Sequence, residues 1–376
     1  MGALARPGMR RQECVMTEPS RQERYSGTKD VAAALAFDVE RLEAYLATRI
    51  EGFQRPLTVR QFKGGQSNPT YRLITPNHTY VLRRKPPGKL LPSAHAVDRE
   101  FKIIAALHPT GFPVARPYLL CEDEGVIGTM FYVMDCVEGR IFWEGTLPGL
   151  DPNERRAIYD EMNRTLARLH GIDFEAIGLG DYGKAGNYIA RQTARWSKQY
   201  LASETETIPE MNRLIDWLPA NVPPDERASI VHGDFRIDNM ILHPREPRVL
   251  AVLDWELSTI GDPLADFTYH LMQWQMPATG GLASGSLLGH DLHALGIPTI
   301  EEYTATYCLR TGRPAAPNMD YYAAYNFFRL AAILQGIIGR VRDGTAANAN
   351  AAQNAAAVRP LAERAWYFAR QAGAEN

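Results

Sequence analysis

Polar residues whose types could transfer a phosphoryl group cluster in and after the stretch VHGDFRIDNM (231–240). Asp234 is followed by Arg236 and Asn239, and Asp254 closes the apolar run VLAVLD fifteen residues later. Carboxylate and amide oxygens suit Mg²⁺, which takes one or two protein carboxylates together with phosphate oxygens. In phosphoryl transfer, one aspartate receives the proton of the acceptor hydroxyl, while an asparagine and a second aspartate hold the metal. The spacing therefore predicts phosphoryl transfer.

A metal-dependent hydrolase is the alternative interpretation of this stretch, because His232 forms an HxD pair with Asp234. Such a site would need further histidine ligands. His243 and His270, the other histidines nearby, stand in no ligand spacing. We therefore expect His232 to support the loop through hydrogen bonds and to take no part in the chemistry.

The elements that position these residues begin with a β-rich part. Helical spacing starts near Asp38 and places Leu42, Tyr45 and Leu46 on one face. Residues 57–88 then alternate and are broken by Gly-Gly, Asn-Pro and Pro-Asn, which predicts a β-meander. A helix over 95–107 and two strands over 116–123 and 129–137 follow. The helix is expected to bury Val97, Phe101, Ile104 and Leu107.

The second part of the chain is predicted to be mainly helical. Asp151 and Pro152 suit the N-cap and first position of a helix that ends near Gly171. Two short apolar runs predict strands that form a hairpin, which would bring the loop with Asp234 and Asn239 to Asp254. These two strands are expected over 228–235 and 248–255. Helices are predicted over 321–341 and 360–373, and the Ala/Asn tract 345–357 is predicted to be a mobile connector. Asp262 and Asp266 are expected to have structural roles.

HGDFRIDN followed by LDWE resembles the catalytic and metal-binding segments of the aminoglycoside phosphotransferase and choline kinase-like family. The resemblance implies an α+β, bilobal protein kinase-like fold with a small β-rich N-lobe and a larger, mainly helical C-lobe. By position, it makes Asp234 the catalytic aspartate and Asn239 and Asp254 the Mg²⁺ ligands. Arg236 would be a cation beside the transferred phosphate. The predicted domains are an N-terminal extension (1–30), the N-lobe (31–137) and the C-lobe (138–376).

The same resemblance implies an ATP site between the lobes. Arg83, in TYVLRRK, stands where the family carries the nucleotide-phosphate lysine, and Glu100 would be its ion-pair partner. An arginine can also clamp phosphate through two hydrogen bonds. The segment KGGQSNPTY would cover the phosphates, and MFYVMDCVEG would be the hinge that meets adenine. The implied nucleotide contacts are Gly64, Gly65, Gln66, Ser67, Asn68, Asp135, Cys136 and Val137.

The acceptor is expected to be a hydroxyl on a small, negatively charged molecule. Residues 181–200 contain four basic residues and one aspartate, which is the wrong sign for a polycationic aminoglycoside. Choline would require an aromatic cage, for which Trp196, Tyr269 and Trp274 are candidates. The chain most resembles the phosphotransferase half of acyl-CoA dehydrogenase fusion proteins, which implies a hydroxyacyl acceptor or its CoA thioester. The candidate acceptor contacts are Tyr188, Arg191, Arg195 and Trp196.

Three alternatives stay open at this point. The chain could be an aminoglycoside or choline-type kinase, or a nucleotide-binding module without turnover. It could also phosphorylate proteins, although it lacks Asp-Phe-Gly and Ala-Pro-Glu segments.

Composition limits the partners and the compartment. The 376 residues are 45% hydrophobic and 22% charged, with a net charge of -2, which leaves no basic footprint for nucleic acid. No run approaches the ~18 apolar residues of a membrane span. Residues 1–30 are polar and without a secretory signal, so we expect disorder there, with Met9 or Met16 as the natural start. Scattered cysteines favour a reduced, cytoplasmic protein. They are Cys14, Cys121, Cys136 and Cys308.

Overall fold

The computed structural model describes residues 26–63, 68–87, 96–224, 227–278, 285–342 and 351–375, for 351–354 the backbone alone. The chain forms a six-stranded antiparallel sheet with two helices, followed by a mainly helical part that contains two short strand pairs. The predicted α+β class with a β-rich first part is confirmed.

The sheet has the strand order β1-β2-β3-β4-β6-β5. The predicted meander is β2, β3 and β4, and β4 then pairs with β6. The first strand lies inside the predicted N-terminal extension, because Thr28 and Lys29 pair with Phe62 and Gln61. The strands are β1 (Thr28–Lys29), β2 (Thr58–Phe62), β3 (Thr70–Ile74), β4 (Thr79–Arg84), β5 (Pro117–Cys121) and β6 (Phe131–Asp135).

Two helices pack with this sheet. Helix Val39–Ala47 begins where the Asp38 side chain accepts the Arg41 N–H at 2.9 Å, and it buries Leu42 and Leu46 in a core shared with the sheet. Helix Val97–Leu107 contacts β5 and β6. Its buried face differs from the prediction: Phe101 is only half-buried, whereas Glu100 and Ile103 are buried. A carboxylate on the apolar face of this helix already indicates a specific partner.

The helical part begins at Pro152. As predicted, Asp151 caps the first helix by accepting the N–H groups of Asn153 and Glu154. Its predicted face, Ile158, Met162, Leu166 and Leu169, is fully buried. The helices are Pro152–Gly171, Tyr188–Ser203, Pro209–Ala220, Pro263–Gln275, Leu292–Leu295, Ile300–Thr311, Met319–Arg342 and Ala351–Gln371.

The hairpin prediction was wrong in its pairing. The apolar run after residue 228 forms β7 (Ser229–Val231), which pairs with β10 (Thr259–Gly261). The second run forms β9 (Val249–Val252), which pairs with β8 (Met240–Leu242). The loop of residues 232–239 therefore connects two strand pairs. Local alternation could not reveal these partners, because strand pairing is a tertiary choice.

The Ala/Asn connector prediction was wrong for residues 351–357, since the last helix starts at Ala351 and continues past Pro360. Alanine is the best helix former, and burial of Ala357 and Val358 adds tertiary support. Residues 345–350 lie outside the described residues. In the described part of the chain, no helix is long and apolar enough to cross a membrane. Cys121, Cys136 and Cys308 are free thiols.

Candidate active site

Asp234 lies at the centre of the loop between β7 and β8. Tyr269 donates its hydroxyl to Asp234 Oδ1 at 2.6 Å, and Asn239 Nδ2 donates to Asp234 Oδ2 at 3.0 Å. Arg236 Nε lies 3.1 Å from Oδ1, while its Nη2 pairs with Asp238 at 3.2 Å. The charge of Asp234 raises the pKa of Arg236. These contacts hold a carboxylate in one orientation at an accessible loop.

His232 holds the loop in place. Its Nδ1 accepts the Asp234 N–H at 3.1 Å, and its Nε2 lies 2.9 Å from the Leu253 carbonyl oxygen. The tautomer protonated at Nε2 satisfies both contacts, because the unprotonated Nδ1 can accept an N–H and the Nε2–H can donate to a carbonyl oxygen. The ring also packs edge-on against Trp255 at 4.7 Å. This geometry agrees with a supporting role for His232.

Asp266, on helix Pro263–Gln275, anchors the same loop. Its carboxylate accepts the backbone N–H groups of His232 at 2.7 Å and Gly233 at 2.8 Å, and it meets His170 Nε2 at 3.2 Å. Burial alone would raise the pKa of Asp266, but the contacts with His170 and His232 lower it below the ordinary value. Gly233 adopts φ +82°, and a Cβ there would lie 2.9 Å from the Leu257 carbonyl oxygen. Only glycine suits this turn.

Arg83 joins the sheet to the segment that carries Asp254. Its Nε lies 2.8 Å from Glu100 Oε2, and its Nη2 donates to Asp254 Oδ1 at 2.7 Å. Glu100, only 1% exposed, also accepts Asn68 Nδ2 at 2.9 Å and the Tyr132 hydroxyl at 3.1 Å. The predicted Arg83–Glu100 ion pair is present in the structure.

The charges of this cluster are coupled. Burial raises the pKa of Glu100, and the charge of Arg83 only partly offsets that effect. Burial by itself would lower the pKa of Arg83, but the carboxylates of Glu100 and Asp254 raise it above the ordinary value. Burial and the Glu100 charge together raise the pKa of Tyr132. Arg83 is therefore a permanent cation, and Tyr132 is a permanent hydrogen-bond donor.

Asn239 and Asp254 can both offer oxygen atoms to a cation. Asn239 uses Nδ2 to bond the Asp234 carbonyl and carboxylate, which leaves Oδ1 for a metal. Asp254 uses Oδ1 for Arg83, and its side chain is 34% exposed. The Leu253 N–H donates to the Asn239 carbonyl at 2.8 Å, so the two segments are adjacent. Asp254 has φ +66°, a conformation that is uncommon outside glycine and is often found at functional sites.

A cavity of about 650 Å³ separates the sheet from the helical part. Its lining includes Arg83, Glu100, Asn239 and Asp254 together with the hinge residues 135–137. That volume suits a nucleotide-sized ligand. Its apolar walls include Phe62, Val81, Ile104, Met134, Ile141 and Val252.

Two of the three backbone N–H groups in the predicted hinge, residues 135–137, bond other parts of the protein. The Asp135 N–H bonds the Arg116 carbonyl at 2.8 Å, and the Cys136 N–H bonds the Thr79 carbonyl at 3.2 Å. Both donors are therefore engaged within the sheet. The Val137 N–H has no backbone partner among the described residues, so it is the one N–H of residues 135–137 that is not engaged with another backbone group there. Gly64, Gly65, Gln66 and Ser67 lie outside the described residues, whereas Asn68 is buried against Glu100.

The predicted acceptor residues lie on helix Tyr188–Ser203 but differ in exposure. Arg191 donates to the carbonyls of Gly186 and Lys184, and so secures the start of its own helix. Tyr188 and Trp196 are buried. Arg195 is exposed, with its guanidinium 4.9 Å from the centroid of the Trp196 ring.

The aromatic candidates do not form one cage. Trp274 is buried among core rings and donates Nε1 to the Pro298 carbonyl at 2.8 Å. Trp196 and Tyr269 instead face the guanidinium of Arg329, at 5.8 Å and 5.0 Å from their ring centroids. A cation of the protein thus already contacts both rings.

The structural role expected for Asp266 is confirmed by its bonds to the loop, but the sequence analysis did not predict those partners or the bond from Tyr269 to Asp234. Tyr269 and Asp266 stand three residues apart and therefore share one helix face, which is a usable signal. Arg329 was also missed; it is a single charge inside the apolar run FFRLAAIL. A lone charge in such a run indicates either a buried partner or a functional contact.

Comparisons with known proteins agree with this architecture. The model of the phosphotransferase enzyme family (APH) matches residues 58–305. Acyl-CoA dehydrogenase family member 10 of Mus musculus is 47% identical over 350 residues, which cover 92% of this chain and 32% of that protein. Family member 11 of Rattus norvegicus is 44% identical over 350 residues, covering 92% and 45%. The chain therefore spans less than half the length of these relatives.

Solved structures show the same fold. A structure from Ralstonia eutropha, named as a candidate aminoglycoside phosphotransferase, has a TM-score of 0.82 and 52% identity, covering 89% of this chain and 99% of that one. A spectinomycin phosphotransferase, solved with ADP and spectinomycin, has a TM-score of 0.58 and 11% identity, covering 88% and 98%. The second likeness concerns the fold alone. The predicted kinase-like phosphotransferase fold is confirmed.

Proposed function

This chain belongs to the phosphotransferase enzyme family, and from that premise we propose that it transfers a phosphoryl group from Mg-ATP to a hydroxyl of a small, negatively charged molecule. The observation that carries the proposal is the Asp234 carboxylate, oriented by Tyr269, Asn239 and Arg236. This loop also supplies Asn239 to the cavity that contains Arg83 and Asp254.

Each residue has a distinct task in this proposal. Asp234 orients the acceptor hydroxyl and receives its proton as the new bond forms. Arg83 binds the nucleotide phosphates from the sheet side, and Arg236 neutralises charge on the transferred group. The Val137 N–H meets adenine. Asn239 and Asp254 hold Mg²⁺, which when bound neutralises phosphate charge and aligns the phosphates.

The acceptor proposal rests on the charges of the acceptor side. Helix Tyr188–Ser203 presents the exposed cation Arg195, and Arg329 already contacts the rings that a choline cage would require. The positively charged ammonium group of choline would be repelled by the guanidinium at these rings. The likeness to acyl-CoA dehydrogenase family members makes a hydroxyacyl acceptor, free or as its CoA thioester, the first class to test.

The test is a mass-spectrometric screen with Mg-ATP and four acceptor classes: hydroxyacyl-CoAs, free hydroxy acids, choline and aminoglycosides. The matched control is Asp234→Asn, which keeps the size of the side chain and removes its charge. We expect a phosphorylated hydroxyacyl product from the natural chain. The control should bind Mg-ATP unchanged and lose transfer by about 10²–10⁴-fold, the usual contribution of a general base.

Other outcomes change defined parts of the proposal. Transfer to choline or an aminoglycoside would retain the kinase and overturn the charge argument for the acceptor. Normal turnover by Asp234→Asn would overturn the role of Asp234. Mg-ATP binding without transfer to any class would favour a nucleotide-binding module without turnover.

A further inference from the structure

Arg329 contacts the backbone directly before Asp234 and the ring of Tyr269, whose hydroxyl bonds Asp234. It enters from helix Met319–Arg342 and is only 5% exposed. Its Nη2 donates to the Gly233 carbonyl, directly before Asp234, at 2.8 Å. Its guanidinium lies 5.0 Å from the centroid of the Tyr269 ring, and Tyr269 donates its hydroxyl to Asp234. One side chain therefore contacts the backbone and the ring that orient the carboxylate.

The usual reason for a buried arginine does not apply here. No carboxylate of the described residues lies within ion-pair distance of Arg329. A buried charge without such a partner is costly, and the faces of Trp196 and Tyr269 offset only part of that cost. Stability alone does not explain a cation at this position.

We propose that Arg329 is a positioning residue for phosphoryl transfer, which rests on the proposed role of Asp234. The planar guanidinium donates to the Gly233 carbonyl along its edge while its face packs on Tyr269. Together these contacts set the direction of the Asp234 carboxylate toward the acceptor hydroxyl. A lysine carries the same charge but lacks the planar fork, so it can make one of the two contacts well.

Two variants separate geometry from charge and volume: Arg329→Lys and Arg329→Met. The matched control is Arg340→Met, an exposed arginine on the same helix. We expect Arg329→Met to lower kcat by about tenfold to a hundredfold, the effect of a misplaced catalytic group. KM for ATP should stay within about twofold, because the nucleotide contacts are untouched. Arg329→Lys should recover part of kcat, and the control should match the natural chain.

Hydrogen exchange read by mass spectrometry gives a second readout that needs no acceptor. In both Arg329 variants, amides of residues 231–240 should exchange faster, while those of β6 and the hinge keep the natural rate. An acceptor screen that yields no product would therefore count against the proposed function, while the exchange rates of residues 231–240 would still test the role of Arg329.

Two results would overturn the inference. One is natural kcat together with natural exchange over 231–240 in Arg329→Met. The other is a higher KM for the acceptor at unchanged kcat, since that would make Arg329 an acceptor contact. If Arg329→Met does not fold, Arg329→Lys carries the same test, and its natural kcat and loop exchange would be the contrary outcome.

Discussion

Two buried arginines belong to the candidate active site, and they are held in opposite ways. Arg83, on the sheet side, contacts the carboxylates of Glu100 and Asp254 at 2.8 and 2.7 Å. Arg329, on the helical side, contacts a carbonyl oxygen and the faces of two aromatic rings. Arg83 is therefore paired directly with carboxylates. Arg329 has no carboxylate within ion-pair distance among the described residues, and the more distant charge of Asp234 is one of the groups that raise its pKa.

Because of this difference, we expect Arg83 to matter mainly for the stability of the fold and Arg329 mainly for the position of Asp234. Removing Arg83 leaves a buried carboxylate without its cation, so the fold should suffer. Removing Arg329 leaves no carboxylate behind, so the fold should suffer less than catalysis.

His270 offers a third case, because a histidine can give up its charge on burial and an arginine cannot. Burial lowers the pKa of His270 to about 4.

The largest expected effect is that of Arg83→Met. Breaking a buried ion pair by removing one partner costs about 3–5 kcal/mol of the free energy of unfolding. Denaturant unfolding of this variant should show such a loss, together with weaker Mg-ATP binding by calorimetry. The double variant Arg83→Met/Glu100→Gln should recover part of the stability, because no buried charge then remains unpaired. Equal losses in the single and double variants would show that the pair is not the cause.

The next effect is the pH dependence caused by His270. Its folded pKa of about 4 lies below the ordinary 6.5, so its contribution to stability is fully present above pH 6.5 and is lost as pH falls toward 4. The shift corresponds to about 3 kcal/mol. Between pH 7.5 and 4, the free energy of unfolding should therefore fall less steeply with decreasing pH for His270→Gln than for the natural chain. The same pH dependence in both proteins would contradict a lowered pKa for His270.

A smaller effect is expected for Tyr269→Phe, which removes the hydroxyl that Asp234 Oδ1 accepts. Burial and the Asp234 charge raise the pKa of Tyr269, so this donor is present at every working pH. Losing one hydrogen bond to a charged group should reduce kcat by about tenfold. Steady-state transfer assays measure this, and Tyr321→Phe, a buried tyrosine that donates to the Leu218 carbonyl, is the matched control. An unchanged kcat would remove Tyr269 from the site.

The smallest expected effect is the change in stability of Arg329→Met. The substitution removes a buried charge that has no ion-pair partner among the described residues, but it also takes one donor from the Gly233 carbonyl. These two changes oppose each other, so the free energy of unfolding should change by about 1 kcal/mol. Denaturant unfolding beside Arg83→Met gives the comparison directly. A loss as large as that of Arg83→Met would mean that both arginines are primarily structural.

Much of the fold could be predicted because its signals are local. The meander follows from alternation and turn residues, and the helix at Pro152 follows from its cap and its apolar period. Local patterns failed where a choice depended on distant contacts. The strand 229–231 selected 259–261 as its partner, and the Ala/Asn tract became helical from Ala351 onward in a helix that buries Ala357 and Val358.

The sequence by itself determined the family, the α+β class and the spacing of Asp234, Asn239 and Asp254, because motif chemistry and backbone periods are written in neighbouring residues. The tertiary structure alone decided that Tyr269 bonds Asp234, that Asp266 anchors the loop and that Arg329 lies behind it. These contacts join residues 33 to 96 positions apart. Their geometry depends on how helices pack, and side-chain packing leaves no periodic trace in the sequence.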